Sequence, residues 1–261
     1  MSLSVVIIAK NEEKMIEDAI KSVSYADEII ILDTGSNDKT KLIAKSFNSK
    51  VFNIGSGKIE FAKWRSEGIS KAKHDWIFYL DADERVTPEL KKEMIAITGS
   101  KPKKYSAYAI PRRNFYLNKE MKYGGAWPDY VIRLFYKSNI LGWKEKLHEQ
   151  PVFSGDLGHL TNPLIHLTHR DLTSMLEKTI KWSKLEAEEL FKANHPPMAW
   201  WRFLRIMVGE FYNRGIKLQG LRDGTQGLIE VIFQTYSRFI TYARLWEIQW
   251  QAQEKSKNQR P

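Results

Sequence analysis

Trp76-Ile77-Phe78-Tyr79-Leu80-Asp81-Ala82-Asp83-Glu84-Arg85 is the stretch that decides the fold. Five bulky apolar residues without a polar break read as a strand covered on both faces. The run stops on an acidic triplet, Asp81-Ala82-Asp83. Pro88 then opens a helix, in the first turn where a missing N–H costs nothing. Toward the N-terminus the same syntax repeats. Leu3–Ala9 is a continuous apolar run that ends at Lys10-Asn11-Glu12, and Glu28–Leu32 ends at Asp33-Thr34-Gly35-Ser36-Asn37-Asp38-Lys39-Thr40. Met15, Ile16, Ala19, Ile20 and Val23 recur at helical spacing between them, with Asn11 placed to cap that helix. Leu42–Phe47 and Phe61–Ala72 predict two further helices, and Val51–Ile54 a short strand.

Strand alternating with helix predicts an α/β fold with a mostly parallel, doubly wound sheet and right-handed crossovers. Ligands of such sheets bind outside the carboxyl ends of the strands. Ala9 to Glu12, Asp33 to Thr40 and Asp81 to Asp83 all fall there. Two aspartates separated by one small residue can aim both carboxylates at one point. Hard oxygen donors of that kind suit Mg²⁺ or Mn²⁺, which keep waters and bridge to substrate phosphates. A diphosphate leaving group gathers negative charge as its bond breaks, and a divalent cation there stabilises it.

The chain has 261 residues, 43% of them hydrophobic, room for one large α/β domain and a C-terminal appendage. It has no cysteine, which excludes disulfides and zinc–thiolate centres and fits a reducing, cytoplasmic location. The opening MSLSVVIIAKNEE lacks a basic region before its short apolar run and reads as a strand rather than a signal peptide. No stretch nears the roughly 20 apolar residues that span a bilayer. A net charge of +10 and a pI near 9.5 favour polyanionic partners. Nucleic acid is not expected among them, because the basic residues are scattered and carry no recognition motif.

Ser4 to Glu12, Ile31 to Thr40 and Trp76 to Glu84 resemble, in order, the three motifs of the inverting family 2 glycosyltransferases, which have the GT-A fold. Pro111-Arg112-Arg113, Tyr123 to Asp129, Arg133-Leu134-Phe135 and Leu147-His148-Glu149 resemble the branch of lipopolysaccharide inner-core β-1,4-glucosyltransferases. The resemblance implies a metal-dependent hexosyltransferase. It would move a sugar such as glucose from a UDP-sugar to a hydroxyl of a saccharide or lipid-linked saccharide.

Residue by residue, the resemblance implies that Ala9, Asn11 and Glu12 hold the nucleotide with Asp33 facing the base. Arg65 and Ala82 would lie near the donor, Asp81 would contact ribose or metal, and Asp83 would ligate metal and diphosphate. Where many members carry Asp-Asp-Gly-Ser, this chain has Asp33-Thr34-Gly35-Ser36, so Thr34 receives no acid–base role. An inverting transfer needs one general base for the acceptor hydroxyl. Glu149 matches the late acidic motif that supplies it in relatives, with Asp129 as runner-up and Glu145 a third carboxylate. Asp129 lies close to Gly124-Gly125, which let backbone approach a sugar, and Trp127, which offers it an apolar face. His166 resembles the late histidine that GT-A enzymes add to the metal shell, and His169 is the alternative. Arg112, Arg113 and Arg133 are candidates to neutralise phosphate, or else members of a solvated strand face.

Residues 1–170 therefore read as a GT-A catalytic domain and 171–261 as a helical C-terminal extension. In the extension, Trp200-Trp201-Arg202-Phe203-Leu204-Arg205 mixes aromatics with arginines, and Leu228–Trp250 predicts the last helix before a polar end. From Trp200 onward ten Lys/Arg stand against five Asp/Glu. Basic, Trp-rich amphipathic helices suit the headgroup layer of an anionic membrane, or else pack on the catalytic domain or a second subunit. Two other readings compete. A nucleotidyltransferase would want a glycine-rich phosphate loop after the first strand, and Ala9-Lys10-Asn11-Glu12 is not one. An inactive sugar- or lipid-binding protein would not need the carboxylates.

Overall fold

The computed structural model describes residues 2–55, 60–100, 104–144 and 150–258. The apolar runs become strands and the periodic segments helices. In order they are β1 (Leu3–Ala9), α1 (Ile16–Ser22), β2 (Glu28–Asp33), α2 (Thr40–Ser46), β3 (Lys50–Asn53), α3 (Phe61–Lys71) and β4 (Trp76–Asp81). β1 lies between β2 and β4, with β3 outside β2, and all four are parallel. Alternate residues of β1 serve opposite faces: Val5 and Ile7 pack with Ile16, Ile20 and Phe78, whereas Val6 packs with Ile30, Ile77 and Tyr79. Burial on both faces is why these strands are apolar throughout.

After β5 (Glu84–Val86), α4 (Pro88–Gly99) starts as its sequence predicts. Thr87 caps it by accepting from the Leu90 amide at 3.2 Å, with Pro88 in the first turn. The chain then adds β6 (Ala107–Tyr116), β7 (Lys119–Glu120), β8 (Asp129–Tyr136), β9 (Ile140–Lys144), β10 (Gln150–Phe153), β11 (Leu157–His159) and β12 (Leu164–His166). The main sheet runs β3-β2-β1-β4-β8-β6-β12-β5. β8 is antiparallel to both β4 and β6, and β12 is antiparallel to β5. The α/β sheet is parallel through β3, β2, β1 and β4 and antiparallel at β8, flanked by helices and followed by a helical region.

One end of the sheet is closed by a buried carboxylate. Glu28, at the start of β2, accepts from the Ser4 hydroxyl at 2.7 Å, the Lys73 amide at 3.0 Å and Lys50 Nζ at 2.5 Å. Burial alone would raise its pKa, but those donors hold it below the ordinary glutamate value. Asn11 is not the helix cap expected from the sequence. Its φ of 56° turns the chain, and its Oδ1 accepts from the Asn37 amide at 2.9 Å, so α1 starts later at Ile16.

The chain divides into two compact units, residues 1–113 with 128–167, and residues 114–127 with 168–261. The second unit contains α5 (Leu172–Lys192), α6 (Trp200–Phe211) and α7 (Gly224–Asn258). Asp171 caps α5, accepting from the Ser174 amide at 2.7 Å. Ala187, Met198 and Leu245 form the buried centre, with Leu190, Phe203 and Ile206 against it. α7 runs on past Trp250, because Gln251 to Lys255 are good helix formers and nothing there breaks the turn. No helix among the described residues is long and apolar enough to cross a membrane.

Candidate active site

The pairing register sets three strand ends level: Ala9 sits opposite Asp33, and Ile8 opposite Asp81. The loops beyond them are stitched together. The Asn11 amide donates to Ser36 Oγ at 3.0 Å and the Glu12 amide to Thr40 Oγ1 at 2.8 Å, while the Thr34 amide donates to the Ala9 carbonyl at 3.0 Å. Asp33 is buried, and its carboxylate accepts from the Gly35 and Ser36 amides at 3.1 Å, with Lys41 Nζ 3.9 Å away. Its first task in this structure is to shape its own loop.

Asp81 ends β4 half-buried beneath Arg133 of β8. Arg133 donates through both terminal nitrogens, one to each carboxylate oxygen, and itself lies buried. Burial alone would raise the Asp81 pKa, but the guanidinium charges of Arg133 and Arg65 outweigh it and hold the carboxyl well below the usual range. Arg65, on α3, is itself buried, with its guanidinium 5.3 Å from the Tyr79 ring and 5.0 Å from the Trp143 ring. The Tyr79 hydroxyl donates to the Arg65 carbonyl, which fixes α3 on β4. A ring of β4 and a ring of β9 thus hold a cation beside the acidic strand end.

Glu84 is the residue that sequence reasoning left without a role. It is fully buried, and its Oε1 accepts from Arg133 Nη2 at 3.1 Å and Arg112 Nη1 at 3.4 Å. Its Oε2 accepts from the Asp81 amide at 3.0 Å. Arg112 continues outward, donating through Nε and Nη2 to Asp129 Oδ2 at 3.0 and 2.7 Å. An alternating chain results: Asp81, Arg133, Glu84, Arg112, Asp129. Arg112 and Arg133 are therefore not a solvated strand face. No spacing rule reveals the chain, because β4, β5, β6 and β8 must meet before its members do.

Asp83 lies in the turn between β4 and β5. The pairing of β5 with β12 sets Glu84 opposite His166, and His166 Nε2 comes to 3.6 Å from Asp83 Oδ2. That is too long for a hydrogen bond but within the span of two ligands on one cation. The Asp83 carbonyl accepts from the Leu167 amide at 2.8 Å, holding the two segments together. The carboxylate suits Mn²⁺ or Mg²⁺ and the imidazole favours Mn²⁺ of the two, if waters and a diphosphate complete the shell. No cluster of three or more His, Asp or Glu suited to a metal occurs among the described residues, so the protein would supply only part of that shell.

The remaining expected residues fall elsewhere. Glu149 and Glu145 lie outside the described residues. Ala82, the middle residue of the triplet, is buried in the core, and Asp129 begins β8 at the outer end of the ion-pair chain. Gly124, Gly125 and Trp127 belong to the second unit. There the Gly124 amide donates to the Leu218 carbonyl at 2.8 Å, and a side chain added at Gly124 would sit 3.3 Å from the Gly220 Cα. The pair serves close backbone packing within the second unit, and Trp127 is partly exposed. His169 is held by Glu230, Nδ1 to Oε2 at 3.0 Å, also within that unit.

The chain is similar to several known proteins. An uncharacterized glycosyltransferase of Rickettsia bellii is 27% identical over 98% of this chain and 90% of its own length. The lipopolysaccharide core biosynthesis glycosyltransferase LpsC of Rhizobium meliloti is 25% identical over 95% of this chain and 93% of its own. Among solved structures, glucosyl-3-phosphoglycerate synthase from Mycobacterium tuberculosis, in complex with Mn²⁺ and UDP, aligns with a TM-score of 0.32 and 24% identity. That alignment covers 44% of each chain, so the matched segment spans less than half the length of the synthase. The description "Glycosyl transferase family 2" matches residues 4–157, more than half of the chain, and the protein belongs to that family.

Proposed function

We propose that the protein is a metal-dependent, inverting transferase that moves a hexose from a nucleotide-sugar donor, a UDP-sugar, to a hydroxyl of a saccharide acceptor. The observation that carries the reading is the approach of His166 to Asp83 beside an Asp81 held ionised by Arg133. In this reading Asp83 and His166 hold Mg²⁺ or Mn²⁺, which supplies charge stabilisation to the departing diphosphate. Asp81, kept anionic and fixed by Arg133, orients the donor. Arg65 and Arg133 place positive charge where the diphosphate gathers negative charge.

Glu149 is the proposed base. Asp129 is the runner-up, and its Oδ2 accepts two bonds from Arg112. Similarity to LpsC, named for lipopolysaccharide core biosynthesis, supports a lipopolysaccharide core as the acceptor class. The test is a screen of nucleotide sugars with Mn²⁺ or Mg²⁺, reading release of nucleoside diphosphate. Turnover that needs the cation and falls in Glu149→Gln is expected. No metal-dependent turnover or binding with any donor overturns the reading, and loss in Asp129→Asn with retention in Glu149→Gln reassigns the base.

A further inference from the structure

α6 is amphipathic in an unusual direction. At 100° per residue, Trp200, Trp201, Leu204, Val208, Phe211 and Tyr212 fall within one arc of about 120°. That arc faces out: Trp200 is 75% exposed, Val208 68% and Leu204 55%. The helix is held in place from another side, where Phe203 and Ile206 pack on the buried Met198 and Leu245, and Phe203 meets the Phe239 ring of α7 at 5.8 Å. Truncating the exposed residues would therefore leave the packed side intact.

Basic charge lies nearest the arc. No carboxylate lies on it. Arg205 borders it and Arg202 lies farther round on the same side, with guanidinium groups 5.6 and 4.7 Å from the Trp201 ring. Arg214 and Lys217 follow in the next turn. Glu210, the one acid of α6, lies off the arc and is bonded to Arg214. A water-facing surface would not gain from a row of Trp, Leu, Val and Phe. Tryptophan beside arginine, above aliphatic side chains, matches a lipid headgroup layer: the rings sit at the interface and the arginines meet phosphate.

We propose that α6 docks this protein on an anionic lipid bilayer, with the Trp200–Tyr212 arc in the headgroup layer and Arg202 and Arg205 on lipid phosphates. The contact involves no sugar or metal, so it stands or falls separately from the transferase reading. The experiment is vesicle flotation of the full chain without donor or acceptor. It uses phosphatidylcholine vesicles with and without phosphatidylglycerol, at low and high salt.

The protein is expected to float with the anionic vesicles only, and to be released by salt. Arg202→Gln with Arg205→Gln should weaken binding about 30-fold, at roughly 1 kcal/mol for each arginine near an anionic surface. Leu204→Gln with Val208→Gln should weaken it further while circular dichroism stays unchanged. Equal binding to both vesicle types, no binding to either, or undiminished binding by both double variants overturns the proposal. So does a wild-type dimer that the Leu204/Val208 variant converts to monomer without vesicle binding, which would make the arc a self-association face.

Discussion

The two ends of the central sheet each bury carboxylates, and they use them differently. At the amino end of β1 and β2, Glu28 gathers one hydroxyl, one amide and one partly exposed lysine, and its bonds end there. At the carboxyl end, Asp81, Glu84 and Asp129 share two arginines in a chain that reaches the surface. A self-contained carboxylate fixes strands to one another. A carboxylate that shares its arginines with neighbours sets a field that a charged ligand can enter, and Asp83 with His166 lies beside that field.

The comparison is broken most severely by Asp83→Asn. Turnover should fall by about a thousandfold, the scale of losing one preorganised electrostatic partner, while the thermal midpoint barely moves, because Asp83 is partly exposed. If stability falls instead, the carboxyl end is structural too. Arg133→Met comes next. It leaves the fully buried Glu84 with Arg112 as its one cationic partner among the described residues, and denaturant unfolding should register a loss of about 3–5 kcal/mol.

At the other end, Glu28→Gln should cost about 1–2 kcal/mol through weakened charged hydrogen bonds, with kcat and KM unchanged. Acidification sharpens the contrast. Glu28 and Asp81 both have folded pKa values below their unfolded ones, so their stabilisation is complete above about pH 5 and is lost as pH falls through the lowered values. A pH series of unfolding midpoints should therefore slope downward in acid, less steeply for Glu28→Gln. The smallest effect belongs to Lys50→Ala, whose exposed ammonium is screened by salt. The urea midpoint should shift only slightly, and less at high ionic strength.

Much of the sheet was legible because burial on both faces demands unbroken apolar runs, as in Leu3–Ala9 and Trp76–Leu80. The polar strand ends followed from the same pattern. What stayed hidden depends on segments far apart in sequence. Glu84 looks like one more acid after a turn until Arg112 and Arg133 arrive from β6 and β8. Asn11 has the composition of a helix cap, but a left-handed turn and a bond to Asn37 claim it first. Gly124-Gly125 reads as a loop open to a ligand, whereas its second-unit neighbour is the Gly220 backbone. Residue types advertise a conformational need without saying which neighbour imposes it.

The β5–β12 pairing joins only three residues of each strand, and β5 is the last strand of the sheet. A short pairing at a sheet margin opens at far lower free energy than the interior strands. Amide protons there, such as that of Leu167 on the Asp83 carbonyl, should exchange with solvent well before those of β1 or β4. A cation bridging Asp83 and His166 would tie the margin shut, so added Mn²⁺ or Mg²⁺ should slow exchange in these two strands and leave the sheet centre unchanged. Ligand occupancy then becomes readable as time, in the lifetime of a few protons at the end of the sheet, before any sugar has been transferred.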